Sequence, residues 1–205
     1  MPYLKELGVK NIYASPIFKS MPGSTHGYDA VNPYQLNPEI RSAEQFRQII
    51  EQLSSEKICW LQDIVPHHMA FHPQNEWLMD VLEKSKRSAW AYLFDIDWNS
   101  HFYNGKLMVP FLGNPVNDVL EKNELQVGYK NRRIIVKYFD AAYPLSPESY
   151  KTVLEVIEER VPHFLRQLLV QIQQILQTED NDLFYNRWEE FLLQLSSLYQ
   201  GTRGM

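Results

Sequence analysis

The sequence has little of the chemistry that marks several classes of protein. It contains one cysteine, Cys59, so no disulfide framework can form within the chain. Cysteine behaves as a small apolar side chain, and the flanking Ile58 and Trp60 therefore predict a buried strand as its place. Because secreted domains commonly depend on disulfides, the single thiol favours the cytoplasm as the compartment.

A basic surface and a long apolar run are also missing. The net charge is −5 and the pI is about 5.7, which excludes the basic footprint of a nucleic-acid-binding domain. Charges interrupt every apolar stretch well before the ~20 residues that a membrane-spanning helix requires. The first residues, MPYLKELGVKNIY, show neither the basic region nor the apolar region of a secretory signal. We therefore expect no nucleic-acid partner and no membrane partner.

The composition is that of a folded protein with many aromatic side chains. Hydrophobic residues make up 44% and charged residues 22% of the chain, as in globular rather than disordered proteins. Aromatic residues reach 13%, with five Trp and twelve Tyr. This content suits a surface on which sugar rings stack, and it suits an aromatic core equally well.

The first part of the chain predicts a strand–helix–strand unit. Val9 to Ala14 reads as a strand, Ser42 should cap a helix with Gln45 completing a capping box, and Ile58 to Val65 reads as a second strand. Such a unit places its two strands in parallel. The fold class is therefore α/β. Residues 1–70 resemble one slice of a TIM-type (β/α)8 barrel, of which only two strands are visible.

Residues 71–205 predict a mixed, mainly helical insertion subdomain that ends in a helical hairpin. We expect Pro162 to kink or break a long helix, because proline lacks the N–H that the helix needs. The predicted elements are a helix over 75–84, a strand over 106–110, a hairpin of 125–129 and 134–139 turning at 130–131, and helices over 147–178 and 182–199. The predicted core comprises the helices with Trp98, Phe102, Phe111, Leu112 and Phe139.

The segment GSTHGYD, residues 23–29, follows the first strand and holds the first candidate site residues. His26, Tyr28 and Asp29 offer a ring nitrogen, an aromatic face and a carboxylate at the end of a strand, where barrel enzymes assemble their sites. A structural loop in which Asp29 caps a turn explains the same residues. The sequence alone leaves both interpretations open.

The segment DIVPHH, residues 63–68, ends the second strand and holds the other candidates. Asp63 lies in an apolar run, so its carboxylate must be paired or hydrogen-bonded to offset desolvation. Adjacent histidines on an extended backbone point to opposite sides, so at most one of His67 and His68 should face the same side as Asp63. A metal site that adds His72 to these residues is an alternative, and so is a purely structural role.

Several segments together resemble a known family. LKELGVKNIYASPIF, PGSTHGYD and LQDIVPHHMA, in this order, resemble the α-amylase superfamily, glycoside hydrolase family 13. A more specific similarity is to the maltooligosyl-trehalose synthases. It is carried by GSTHGYD together with LFDIDW (93–98), VPFLGNP (109–115) and YFDAAYPLSP (138–147). The resemblance extends from residue 2 to about residue 147 and is only compositional in the two C-terminal helices.

The resemblance implies substrate-binding roles for individual residues. Tyr28 matches the tyrosine that stacks under the sugar at the cleavage subsite, and Asp29 orders the wall beside it. Asp63 matches the aspartate that organises the site, and His68 matches the histidine that donates to the primary hydroxyl of the sugar. We place His26 with them as a candidate substrate-binding residue. The implied ligand is a maltooligosaccharide or another α-1,4-glucan, with no cofactor and no metal.

Two departures from the family pattern affect the expected activity. His67 stands where the family has Asn, which leaves the local geometry open. The motifs that bear the family nucleophile, acid/base and stabilising aspartate, of the GFRxD and FVE type, do not occur in these 205 residues, so no catalytic residue is assigned. The expectation is a synthase fragment, inactive alone, from a truncated gene or from a split enzyme that another polypeptide completes.

The parent reaction implied by the resemblance isomerises the reducing-end α-1,4 link of a maltooligosaccharide to an α,α-1,1 trehalosyl link. Two alternatives stand beside it. One is a non-catalytic α-glucan-binding module that uses Tyr28, His68 and the tryptophans. The other is a metal-dependent hydrolase that uses Asp63 and the histidines.

Overall fold

The computed structural model describes residues 2–40, 42–158 and 162–203, without the side chains of 157–165 and 201–203. The chain divides into two compact units, Met1–Glu76 and Trp77–Met205. The first unit contains α1 (Pro2–Glu6), β1 (Asn11–Ala14), β2 (Phe18–Ser20), β3 (Ala30–Leu36), α2 (Ala43–Ser55) and β4 (Cys59–Gln62).

Strands β1 and β4 form the predicted parallel pair, with α2 in the connection between them. Their register places Tyr13 opposite Leu61 and Ala14 opposite Gln62. The predicted α/β class is confirmed at this level. The capping box of α2 is also confirmed, because Ser42 Oγ accepts from Gln45 N and Gln45 Oε1 accepts from Ser42 N, each at 3.2 Å.

The two faces of the β1–β4 pair differ in how far other residues bury them. Residues alternate along each strand between half-buried and exposed positions. On the half-buried face the ring of Trp60 meets Phe46 of α2 edge-on, with centroids 5.5 Å apart. Tyr13 and Leu61, on the other face, are 66% and 59% exposed. We call this second side the open face.

Cys59 is exposed, so the prediction of a buried thiol is wrong. It lies two residues before Leu61 on the same strand, and side chains two apart point to the same side of a sheet. Cys59 therefore points to the open face. The apolar flanks predicted a strand correctly but gave no information on which face was covered.

A hairpin lies between β1 and α2, in a segment for which the sequence analysis predicted no strand. Strands β2 and β3 pair antiparallel, with register shifts on both sides of Lys19. The buried amide of Asn37 donates to Ser20 Oγ at 2.9 Å and joins the two strands. The prediction missed this hairpin because β2 has only three residues and β3 contains Asn and Pro, which strands disfavour.

Helix α3 (Glu76–Lys84) begins at the last residue of the first unit, and the rest of it belongs to the second. The second unit also contains α4 (Val116–Glu121), β5 (Leu125–Lys130), β6 (Arg133–Tyr138), β7 (Ala141–Pro144), α5 (Pro147–Glu158), α6 (Pro162–Leu176) and α7 (Asn181–Arg203). Short 3₁₀ turns lie at Ser85–Arg87 and Ala91–Leu93.

The β5–β6 hairpin is confirmed, and its turn is one residue later than predicted. Asn131 and Arg132 occupy it with φ of 51° and 64°, as a type I′ turn requires. Strand β7 extends this sheet.

The predicted helix break at Pro162 is confirmed, since α5 and α6 are separate helices and Pro162 begins the second. Residues 159–161 lie outside the described part. The predicted last helix is α7, but the predicted strand over 106–110 is wrong, because those residues have no regular structure. Among the described residues, no helix is both long and apolar enough to cross a lipid bilayer.

The core of the second unit is centred on Trp188. Its indole is fully buried, stacks on Phe191 with ring centroids 5.5 Å apart, and meets Tyr150 edge-on at 4.9 Å. The prediction that Phe102 and Phe139 belong to the core is wrong, since these residues are 78% and 61% exposed. Each lies in or beside a turn, where the chain faces solvent.

Candidate functional site

Asp63 and Tyr28 meet at the end of β4. The backbone N–H of Asp63 donates to the carbonyl of Ala14 at 2.9 Å, which continues the parallel pairing one residue beyond β4. The hydroxyl of Tyr28 donates to Asp63 Oδ2 at 2.6 Å, across 35 residues of sequence. Two of the predicted site residues, from separate segments, therefore lie in direct contact.

Tyr13 also reaches Asp63, and the sequence analysis missed it. The Tyr13 hydroxyl acts on the pKa of Asp63, and Asp63 acts on that of Tyr13. Tyr13 pairs with Leu61, and Asp63 follows Leu61 by two residues where the pairing continues beyond β4, so all three side chains lie on the open face. Only the register of β1 against β4 points to Tyr13, and neither strand contains this register in its own sequence.

The hydrogen bonds set the charge of this group. The hydroxyls of Tyr28 and then Tyr13 hold the pKa of Asp63 below its ordinary value, because they favour the ionised carboxylate. Asp63 in turn raises the pKa of Tyr13 to about 12 and raises that of Tyr28 as well. At neutral pH the site is therefore an ionised carboxylate beside two protonated tyrosines, of which Tyr28 donates to it.

The loop that precedes β3 is organised by Ser24 and Asp29. Ser24 Oγ donates to Asp29 Oδ1 at 2.5 Å and accepts from the backbone N–H of Gly27 at 3.2 Å. The ring of His26 accepts from the backbone N–H of Tyr28 at 3.0 Å and stacks beside the Tyr28 ring. These contacts of His26 and Asp29 lie within the loop, and they orient Tyr28.

Gly27 should tolerate no side chain. Its φ is +77°, and a methyl group there would lie 2.4 Å from the carbonyl oxygen of Pro16. Gly23 provides a matched control, because its φ is +76° with no atom within 4 Å of an added methyl group. We expect Gly27→Ala to lower the free energy of unfolding of the first unit by about 1–3 kcal/mol more than Gly23→Ala. Urea titration followed by circular dichroism measures both, and equal losses would contradict the steric account.

His68 and His67 lie together rather than on opposite sides. His68 Nε2 is 3.0 Å from the carbonyl oxygen of Tyr28, so this nitrogen must bear the proton and donate. His68 Nδ1 is 3.2 Å from His67 Nε2, and the two rings meet at 72°. The prediction of opposite orientations is wrong, because the chain turns at Pro66 and His67 and does not continue as an extended strand. His68 thus fixes the backbone of Tyr28.

His72 lies close to the same loop. Burial lowers its pKa, and the nearby charge of Asp29 partly offsets that effect. The imidazole is therefore neutral at pH 7. Within residues 2–40, 42–158 and 162–203, no group of three or more His, Cys, Asp and Glu side chains is placed to hold a metal ion.

Residues 1–116, which include every residue of this site, match the alpha-amylase catalytic domain family. The chain belongs to this family. It is 34% identical over 154 residues to a Mycobacterium tuberculosis protein named for maltooligosyl trehalose synthase activity, a match of 73% of this chain and 18% of that protein.

Solved structures agree with this assignment. The maltooligosyltrehalose synthase from Arthrobacter ramosus is 31% identical with a TM-score of 0.63, over 71% of this chain and 18% of that one. A glycosyltrehalose synthase is 27% identical with the same TM-score of 0.63, over 94% of this chain and 23% of that one. The predicted resemblance to glycoside hydrolase family 13 and its trehalose-forming members is confirmed. The chain spans about a fifth of the length of these relatives.

Proposed function

We propose that this chain is part of a maltooligosyl-trehalose synthase and forms one wall of its glucan-binding site. The whole enzyme would isomerise the reducing-end α-1,4 link of a maltooligosaccharide to an α,α-1,1 trehalosyl link. The main support is the contact of Tyr28 with Asp63, since the family resemblance implies both residues at the sugar subsite. The similarity to trehalose-forming relatives adds to it.

The chemistry of this wall suits a sugar. Tyr28 is 38% exposed, and its ring offers an apolar face on which a pyranose can lie. Asp63 is ionised, so its remaining lone pairs accept hydrogen bonds from sugar hydroxyls. His26, Asp29 and His68 act through their contacts with the Tyr28 loop and its backbone. The ring of Tyr28 and the carboxylate of Asp63 would together orient a glucose unit, the first by stacking and the second by accepting hydrogen bonds.

We infer that residues 1–70 belong to a (β/α)8 barrel and residues 71–205 to an insertion. In this arrangement β1 and β4 are neighbouring barrel strands, and the open face is the inward side. The exposed Tyr13 and Leu61 support this, because inward side chains of a barrel pack against those of other strands. Another polypeptide that supplies those strands is the implied partner, and a cytoplasmic location remains a prediction from the single cysteine.

This chain alone should bind glucan but not transform it. Retaining family enzymes need a nucleophile and an acid/base, and the motifs that bear them do not occur in these 205 residues. Loss of one such group commonly lowers kcat by several powers of ten. An assay for trehalosyl product should therefore show none with the chain alone, and product would appear only with a complementing polypeptide.

Calorimetry with maltopentaose tests the binding proposal. We expect the chain to release heat at millimolar sugar and Asp63→Asn to weaken binding at least about tenfold, since a charged acceptor is lost. Asp140→Asn, an exposed carboxylate of the second unit, should bind like the unchanged chain. No heat from the unchanged chain, or equal effects of the two variants, would contradict the proposal. Binding without product, even with a complement, would instead indicate a glucan-binding module.

A further inference from the structure

Gln62, the last residue of β4, uses every polar group of its side-chain amide. Its Oε1 accepts from the indole Nε1–H of Trp60 at 3.1 Å. Its Nε2 donates to the carbonyl of Ser15 at 3.0 Å and to the carbonyl of Asp63 at 2.8 Å. An indole N–H can only donate and a carbonyl can only accept, so the three partners fix the direction of the amide. We call these three hydrogen bonds the Gln62 bridge, which joins the residue after β1 to the residue after β4.

Proline at position 16 explains why a side chain is needed here. Hydrogen bonds between parallel strands are evenly spaced and come from the two strands in turn. The N–H of Asp63 donates to the carbonyl of Ala14 at 2.9 Å, so the next bond would run from the N–H of residue 16 to the carbonyl of Asp63. Pro16 has no N–H. The amide of Gln62 supplies the donor that the backbone lacks.

The Ser15 end of the Gln62 bridge leads to the backbone against which the Tyr28 loop packs. Ser15 precedes Pro16, whose carbonyl oxygen would lie 2.4 Å from a methyl group added at Gly27. Tyr28 follows Gly27 directly. The Gln62 bridge therefore holds the backbone next to this loop on one side and the backbone of Asp63 on the other.

His68 also holds the Tyr28 loop, but from another direction. Its Nε2 donates to the carbonyl of Tyr28 at 3.0 Å, from the chain that follows Asp63. Gln62 acts from the chain that precedes Asp63 and from the end of β1. Neither contact replaces the other, because His68 touches neither the carbonyl of Asp63 nor that of Ser15 in these bonds. The two contacts lie on either side of Asp63 along the chain.

We propose that Gln62 is a positioning residue that sets the place of the Asp63 carboxylate relative to Tyr28 in the glucan-binding wall. The glucan part of this statement rests on the proposed function, and the Gln62 bridge does not depend on it. The hydroxyl of Tyr28 donates to Asp63 at 2.6 Å, a bond that requires both backbones to keep their separation. An acceptor that is already oriented loses less conformational entropy when a ligand binds.

Carbon-13 NMR of Asp63 tests the positioning directly. Gln62→Met has a side chain of similar length without the amide, so the backbone carbonyl resonance of Asp63 should shift upfield as its donor is lost. The pKa of the Asp63 carboxyl should rise towards its ordinary value, because Tyr28 donates to it less. Gln62→Asn keeps an amide that is one methylene too short and should act in the same direction. Gln52→Met, at an exposed glutamine of α2, should change neither quantity.

Amide spectra establish that each variant is folded, and an unchanged pKa of Asp63 in the folded variants would overturn the inference. A measurement on the unchanged chain needs no substitution. The side-chain amide protons of Gln62 should exchange with solvent more slowly than those of the exposed Gln52, since both Gln62 protons are hydrogen-bonded. Equal exchange rates would also overturn the inference.

Maltopentaose calorimetry on the same proteins tests the functional part. Gln62→Met should weaken the affinity about threefold to tenfold, the range for one or two lost hydrogen bonds. Gln52→Met should leave the affinity unchanged. A raised pKa of Asp63 with unchanged affinity would overturn the positioning role. If the unchanged chain fails to bind while Gln62→Met still raises the pKa of Asp63, the proposed function fails and the coupling of Gln62 to Asp63 stands.

Discussion

Replacing Trp188 with alanine should lower the free energy of unfolding of the second unit by about 3–5 kcal/mol. The indole is fully buried and contacts Phe191 face to face and Tyr150 edge to face. Alanine would leave a cavity that rigid aromatic neighbours fill only in part. The indole Nε1–H also donates to Glu83 Oε1 at 2.9 Å, and the change removes this donor from a buried carboxylate.

Urea denaturation followed by far-ultraviolet circular dichroism measures this loss without relying on tryptophan fluorescence. Leu193→Ala is the matched control, because Leu193 lies on the same helix and is 50% exposed. It should cost less than about 1 kcal/mol. A loss at Trp188 that is no larger than the loss at Leu193 would show that the aromatic cluster is not the core of this unit.

Glu83→Ala should lower the stability of the second unit by about 3–5 kcal/mol as well. The Glu83 side chain is 5% exposed and accepts from Arg133 Nε at 2.8 Å and from the indole of Trp188. Its removal leaves a partly buried guanidinium and a buried indole N–H without their acceptor. The cost comes mainly from these desolvated partners and not from the net worth of the ion pair.

Glu189 provides the control for this prediction. It is the second partner of Arg133, at 3.3 Å, but its side chain is 47% exposed. Glu189→Ala should cost less than about 1 kcal/mol, because water replaces an exposed carboxylate. Glu83→Gln should fall between the two, since it retains an acceptor but no charge. Equal losses for Glu83→Ala and Glu189→Ala in urea titrations would contradict the account.

The sequence predicted those elements whose ends are determined by hydrogen bonds between residues close in sequence. The capping box of Ser42 and Gln45 and the break at Pro162 follow from backbone hydrogen bonding alone. The β5–β6 hairpin followed from its strand pattern, but its turn lies at Asn131–Arg132. A one-residue error arises because Lys130-Asn131 and Asn131-Arg132 are both compatible with a short polar turn.

Features that depend on tertiary context were not predicted. The exposure of Cys59 depends on which face of β4 is covered, and its apolar neighbours do not report this. Phe102 and Phe139 were placed in the core by hydrophobicity, but turns hold them at the surface. Hydrophobic residues at a surface are common, so composition alone gives weak evidence for a core position.

The candidate site was predicted in part. Tyr28 and Asp63 were both named from their segments, and the structure joins them through a hydrogen bond of 2.6 Å. Tyr13 required the register of β1 against β4, which neither strand contains alone. The contact between His67 and His68 required the turn after Pro66. Pairing and turn geometry, more than residue type, therefore determine which side chains form this site.

The most direct test of the proposed glucan site is an amide NMR titration of this chain with maltopentaose. We predict saturable shifts at Tyr13, Tyr28, Asp63 and His68, with the second unit largely unchanged. Because the pKa of Asp63 lies below its ordinary value, these shifts should persist from pH 7 to pH 5 and be lost only as the carboxylate protonates in stronger acid. Shifts confined to the second unit, or none at millimolar sugar, would contradict the account.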